Sequence, residues 1–174
     1  MKKTITALIL SGAALSCYAG MASAADLVNI SVTGRVVASP CVVDIDTVSK
    51  QVDLGRAIAN NLNQPGGNPI WKDFQLLLTQ CPATTHSATA TFSGDIDSTD
   101  PTAFKNQGTA GNSALQMTNS DHSIIYGNSS QMTVAVDNST RQAIFPLSAR
   151  IFSPSEAATG GTFSAAVSVV FTYQ

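Results

Sequence analysis

The sequence predicts an all-β sandwich. Short runs in which every second residue is apolar recur along the chain. Clusters of Gly, Pro, Asn, Asp and Ser separate them, and helical periodicity is weak throughout. Many short strands joined by turns point to two packed sheets rather than to a helical or α/β domain.

The first 24 residues read as a signal sequence. Lys2 and Lys3 supply the positive start, an apolar run extends from Ile5 to Leu15, and Ala22-Ser23-Ala24 is a small-x-small cleavage site. The run is short for a membrane span. Cleavage after Ala24 leaves 150 of the 174 residues, enough for one domain with a real core. Without Lys2 and Lys3, seven Lys and Arg face eleven Asp and Glu, a net charge of −4. No basic patch is available to neutralise phosphates, so nucleic acid is not an expected partner.

Along the mature chain, Leu27 to Val37 alternates cleanly: Val28, Ile30, Val32 and Val36 share one face with Gly34 among them. A glycine in mid-strand often marks close approach by another backbone. Pro40-Cys41 interrupts; Val42, Val43 and Ile45 resume the apolar run, and Lys50 to Leu54 gives a short strand. Residues 60–69 (NNLNQPGGNP) are a loop. Strands are expected from Ile70 to Leu78, from His86 to Ser93, and from Leu115 to Thr118 with Ile124 to Tyr126 as its partner. Gly94 to Asn112 is a long polar stretch. Met132 to Val136, Ala143 to Phe152 and a terminal strand complete the set. In that last strand Phe163, Ala165, Val167, Val169, Phe171 and Tyr173 form one face, and no returning strand follows. An edge of this kind needs a cover.

Cys17 leaves with the signal, and Cys41 and Cys81 remain. One cysteine pair in an exported chain is expected to form a disulfide, stapling the first strand of the sandwich to the end of the Ile70–Leu78 strand. Closing a loop of that length stabilises by roughly 3–4 kcal/mol in the chain-entropy model. Without a CxxC pair, neither a zinc site nor a redox motif is expected.

Chemistry-bearing residues are few. His86 and His122 are read as exposed and non-catalytic, and no nucleophile motif such as G-x-S-x-G is present. Asp95, Asp97 and Asp100 in GDIDSTD lack the glycine and glutamate of a calcium loop and read as turn formers. Neither a metal nor a cofactor is expected. A single-domain secreted adhesin or lectin-like module, using Trp71 and the Asp95–Asp100 loop, is the alternative to a structural role.

The combination of motifs resembles the pilin subunits of bacterial chaperone–usher fimbriae, with the closest likeness to the minor tip-adaptor subunits of type 1 fimbriae. The resemblance rests on the signal sequence, the alternating leading segment with Gly34, VVASPC ending at Cys41, and VDLG at Val52 to Gly55. It continues with LLLTQCP at Leu76 to Pro82, FSGDIDS at Phe92 to Ser98, KNQGTA at Lys105 to Ala110 and FPLSAR at Phe145 to Arg150. Gly161, fourteenth from the C-terminus, and the penultimate Tyr173 complete it.

The resemblance implies an incomplete immunoglobulin-like sandwich of six strands with the seventh missing, and a free N-terminal donor strand. It divides the chain into a signal peptide (1–24), a donor-strand extension (25–37) and a pilin domain (38–174). Val28, Ile30, Val32, Gly34 and Val36 would be given to the groove of a neighbour. Gly161 and the face from Phe163 to Tyr173 would line this chain's own groove, filled first by a periplasmic chaperone that also holds the carboxylate of Gln174. At an outer-membrane usher, the leading segment of the next fimbrial subunit would replace it. The implied destination is a cell-surface fimbrium, reached through the periplasm.

Overall fold

In the computed structural model, residues 29–37, 39–66, 70–155 and 157–174 are described. The signal sequence and Val28 lie outside them. Contacts divide the chain into a unit up to Arg35 and a unit from Val36 onward. The described residues of the first unit, 29–35, form no helix or strand.

The second unit is built of antiparallel strands in two sheets. In chain order they are β1 (Val42–Val43), β2 (Lys72–Thr79), β3 (Ser87–Ser93), β4 (Phe104–Lys105), β5 (Ala114–Asn119), β6 (Gln131–Ala135), β7 (Ala143–Phe152) and β8 (Ser168–Tyr173). The larger sheet runs β1-β2-β7-β5-β4 and the smaller β6-β3-β8. Six of these strands have five residues or more, and β1 and β4 are two-residue pairs.

Period-2 patterning places the core. Ala143, Phe145, Leu147 and Ala149 of β7 face inward against Leu76 and Leu78 of β2 and Ala88, Ala90 and Phe92 of β3. Phe92, Phe145 and Leu78 are fully buried. Pro146 is tolerated in the long central strand because β5 ends opposite Leu147, leaving a local edge where the missing N–H breaks no ladder. Cys41 and Cys81 form the disulfide, tying the residue before β1 to the turn after β2.

Several sequence expectations are displaced. Ile45 belongs to a one-turn helix, α1 (Ile45–Val48), capped by Asp44, whose carboxylate accepts from Asp46 N at 3.0 Å. Lys50 to Leu54 is not a strand, because none of the described residues pairs with it; its alternation survives only as half-buried Val52 and Leu54. Part of the expected loop after Ile58 coils into a 3-10 turn at Ala59–Leu62 and buries Leu62. Ile124 to Tyr126 meets β5 through a single bridge, Thr118 to Ile125, rather than as a full strand. Inside the polar stretch, Phe104 is fully buried and forms β4. The terminal strand begins at Ser168, where its partner β3 ends at Ser93.

Candidate functional site

Among the described residues, β8 has a neighbour on one side only. β3 pairs with it from Ala88↔Tyr173 to Ser93↔Ser168, and β8 is the last strand of its sheet. The hydrogen-bond phase follows from its end. Gln174 N donates to Ser87 O and Ser87 N to Gln174 O, both at 3.0 Å. Antiparallel ladders alternate, so Thr172, Val170 and Ser168 also spend their main-chain groups on β3. Val169, Phe171 and Tyr173 therefore turn their N–H and C=O groups to the opposite, open edge.

Those odd-numbered residues also aim their side chains inward. Phe163, Ala165, Val167, Val169, Phe171 and Tyr173 are all half-buried and pack on the core, whereas the even positions are exposed. Phe171 reaches the fully buried Phe145 ring, with centroids 5.4 Å apart. The inward face stops short of full burial because a groove of about 1220 Å³ runs along it. Phe74 and Leu76 of β2, Leu147 and Ala149 of β7, and Leu115 and Met117 of β5 form its floor. Phe163 to Phe171 form one wall, and residues 47–57, including Val52 and Leu54, form the other. A trough with an apolar floor beside an unpaired strand edge can take one extended chain, which would pair with the edge and bury alternate side chains.

The structure brings Gly161, Phe163, Ala165, Val167, Val169 and Phe171 together on this groove. Tyr173 packs on the core, and burial raises its phenol above the ordinary value, but it does not line the groove. Gln174 continues the β3 ladder, with His86 N also donating to its terminal carboxylate at 2.6 Å. Ile30, Val32 and Val36 are 82%, 87% and 100% exposed. A Cβ built at Gly34 would meet nothing within 4 Å. The wall at residues 47–57 escaped sequence reading, because a strand that never forms gives no signal for where it lies.

The features behind a lectin-like reading are engaged within the chain. The Trp71 ring stacks on His122 with centroids 4.1 Å apart, and the Arg150 guanidinium lies 4.6 Å from its centre. Arg150 Nε donates to Gln116 Oε1 at 2.7 Å, and burial lowers its pKa. Asp97 Oδ1 accepts from the N–H groups of Thr99 and Asp100, and Asp100 Oδ1 from Thr102, so both carboxylates cap their own turns. Among the described residues, no group of His, Cys, Asp or Glu is arranged to hold a metal ion, and no helix is long and apolar enough to cross a membrane.

A two-sheet, immunoglobulin-like β-sandwich with one sheet edge left open is the architecture of pilus subunits. The chain belongs to the fimbrial protein family, whose family model matches residues 30–174. It is similar to the protein FimG of Escherichia coli strain K12, 40% identical over 92% of this chain and 93% of that one. The fimbrial-like protein YdeR of the same strain is 40% identical over 84% and 85% of the two chains. The S-fimbrial adhesin protein SfaS of Escherichia coli O6:K15:H31 is 32% identical over 97% and 98%. The fold matches the P pilus rod subunit PapA with a TM-score of 0.63 at 18% identity, over 78% of this chain and all of that one. A chaperone–usher pilus structure matches with a TM-score of 0.64 at 18% identity, over 86% and 96%. The chain is a structural fimbrial subunit, exported to the cell surface as part of the fimbrium.

Proposed function

We propose that this subunit assembles by donor-strand exchange: its groove accepts an extended segment of the following subunit, and its own residues 25–37 fill the groove of the subunit ahead. The observation that carries this reading is the coincidence of open backbone edge and half-buried apolar side chains on the same residues, Phe163 to Phe171. The leading segment has the complementary pattern, with Val28, Ile30, Val32 and Val36 at spacings of two or four. Burying these four side chains contributes on the order of 1.5–3 kcal/mol each, roughly 6–12 kcal/mol as an upper figure before ordering costs. Main-chain pairing along β8 adds to this. Because donor and acceptor are different surfaces, the contact is head to tail and generates an open filament.

The apolar floor of this groove needs a cover before assembly. In this reading a periplasmic chaperone supplies a temporary strand and contacts Gln174, and exchange for the next subunit's segment takes place at an outer-membrane usher. The test uses residues 25–174 with and without a copy of residues 26–37 appended through a short Gly/Ser linker. The unextended chain is expected to aggregate or melt early, and the extended chain to be a soluble monomer with a much higher melting temperature. An unextended chain already monomeric and equally stable would overturn the proposal.

A further inference from the structure

The usable edge of β8 is longer than the sheet that supports it. β3 ends at Ser93, opposite Ser168, yet the inward alternation continues back to Phe163. Between 162 and 166 no strand among the described residues holds the chain in line; a loop does. Gln107 N donates to Ser164 O at 2.7 Å and Ala110 N to Thr162 O at 3.0 Å. Ser164 N donates to Asn106 Oδ1 at 2.9 Å, and Thr162 N to Thr109 Oγ1 at 2.9 Å. The even-numbered residues 162 and 164 thus bond inward, in phase with 168 to 174, and Phe163 and Ala165 keep their main-chain groups on the open side.

Asn106 is the centre of this arrangement. Its Oδ1 accepts from both Gly108 N, at 2.8 Å, and Ser164 N. Its Nδ2 donates to Ala110 O at 2.8 Å and to Ser113 Oγ at 3.0 Å, with Thr162 O further off at 3.4 Å. One amide therefore uses both lone pairs and both protons, shaping the loop and gripping the strand together. The two backbones cross where side chains do not fit. A Cβ at Gly108 would lie 2.2 Å from Thr162 O, and one at Gly161 would lie 2.5 Å from Ala110 N.

We infer that Asn106 is a positioning residue that sets how long a donor strand the groove accepts, by extending the β8 edge past the end of β3. This rests on the strand-accepting reading above. With the clamp in place, an incoming strand pairs as far as Phe163; without it, the productive edge stops near Ser168.

The test uses the self-complemented chain just described. Its short linker forces the appended copy to return antiparallel to β8, so its last residues lie beside Ala165 and Phe163. The copy is made full length or shortened by its last four residues, each with Asn106 and with Asn106→Ala, and guanidinium unfolding midpoints are compared. With Asn106, shortening is expected to lower the midpoint clearly. With Asn106→Ala, full and shortened copies are expected to give midpoints that differ by less than half as much, both above that of the chain with no copy. Asn106→Asp keeps the accepting oxygens, loses the donors and should fall between; it also serves if the alanine variant folds poorly. Slow amide exchange at Val170 and Thr172 in every variant would show that β8 itself is intact. An equal cost of shortening in both backgrounds overturns the role of Asn106. No gain from the full copy, even with Asn106 present, overturns the strand-accepting reading instead.

Discussion

Gly161 and Gly34 both interrupt apolar registers, for different reasons. Gly161 follows another glycine, yet its φ is not positive and no turn demands it. It is small because the loop at Thr109 and Ala110 passes over it, more than fifty positions away in the chain, and no local pattern reports such a crossing. Gly161→Val is expected to destabilise the fold by about 1–3 kcal/mol, read as a lower urea midpoint, because a backbone must move. Gly34 has open space around it, so Gly34→Arg should leave the melting temperature within a degree or two. The same change should abolish head-to-tail assembly in a polymerisation assay; normal polymers would remove residues 25–37 from the donor role. Asp121 and Asp137 carry a pH signature. Each is held below the ordinary aspartate value of 3.8 by hydrogen bonds from the hydroxyl and N–H of the serine two residues on. A lowered folded-state value means stability present in full above the ordinary value and lost as pH falls through the lowered one. Denaturant titrations should show this loss below pH ~4, and Asp137→Asn should flatten part of it. The stack of Trp71, His122 and Arg150 was not legible in sequence, since its members come from three separated segments.

At the scale of elements, periodicity located the strands that have partners and misplaced the segments that do not. β7 was legible to the residue, because its ten residues carry four inward apolar positions and neighbours on both sides. Lys50 to Leu54 alternates equally well and forms nothing, since a strand is a property of a pair. β8 was read correctly as a terminal amphipathic strand, while its extension from 163 to 167 depends on the 106–111 loop rather than on a ladder. The phase of β8 predicts a parity in amide exchange. Ser168, Val170 and Thr172 should exchange slowly, and Val169, Phe171 and Tyr173 quickly, until a strand is added, when the odd positions should slow as well. Equal protection of both sets without any added strand would mean that the edge is already covered. Val169→Asp places a carboxylate on the apolar wall and should lower both folding yield and donor-strand affinity. Ile30→Asp should weaken donation to a neighbour without lowering the subunit's own melting temperature.

At the scale of the molecule, two sheets enclose one core around Phe92, Phe145 and Leu78, and the trough beside β8 is where that core lies open. The disulfide closes one corner of it, from the residue before β1 to the turn after β2. Cys41→Ser should cost about 3–4 kcal/mol in the chain-entropy picture, seen as a lower unfolding midpoint that reducing agent reproduces in the unaltered protein. The position of the bridge also bears on mechanics. In a filament joined as proposed, pull on the leading segment would reach the sandwich at Cys41, just ahead of the two-residue β1. The sulfur bridge hands that tension straight to the end of β2, inside the larger sheet, so the short ribbon at the rim is shielded from peeling. Reduced fibres should therefore yield first at this corner when stretched.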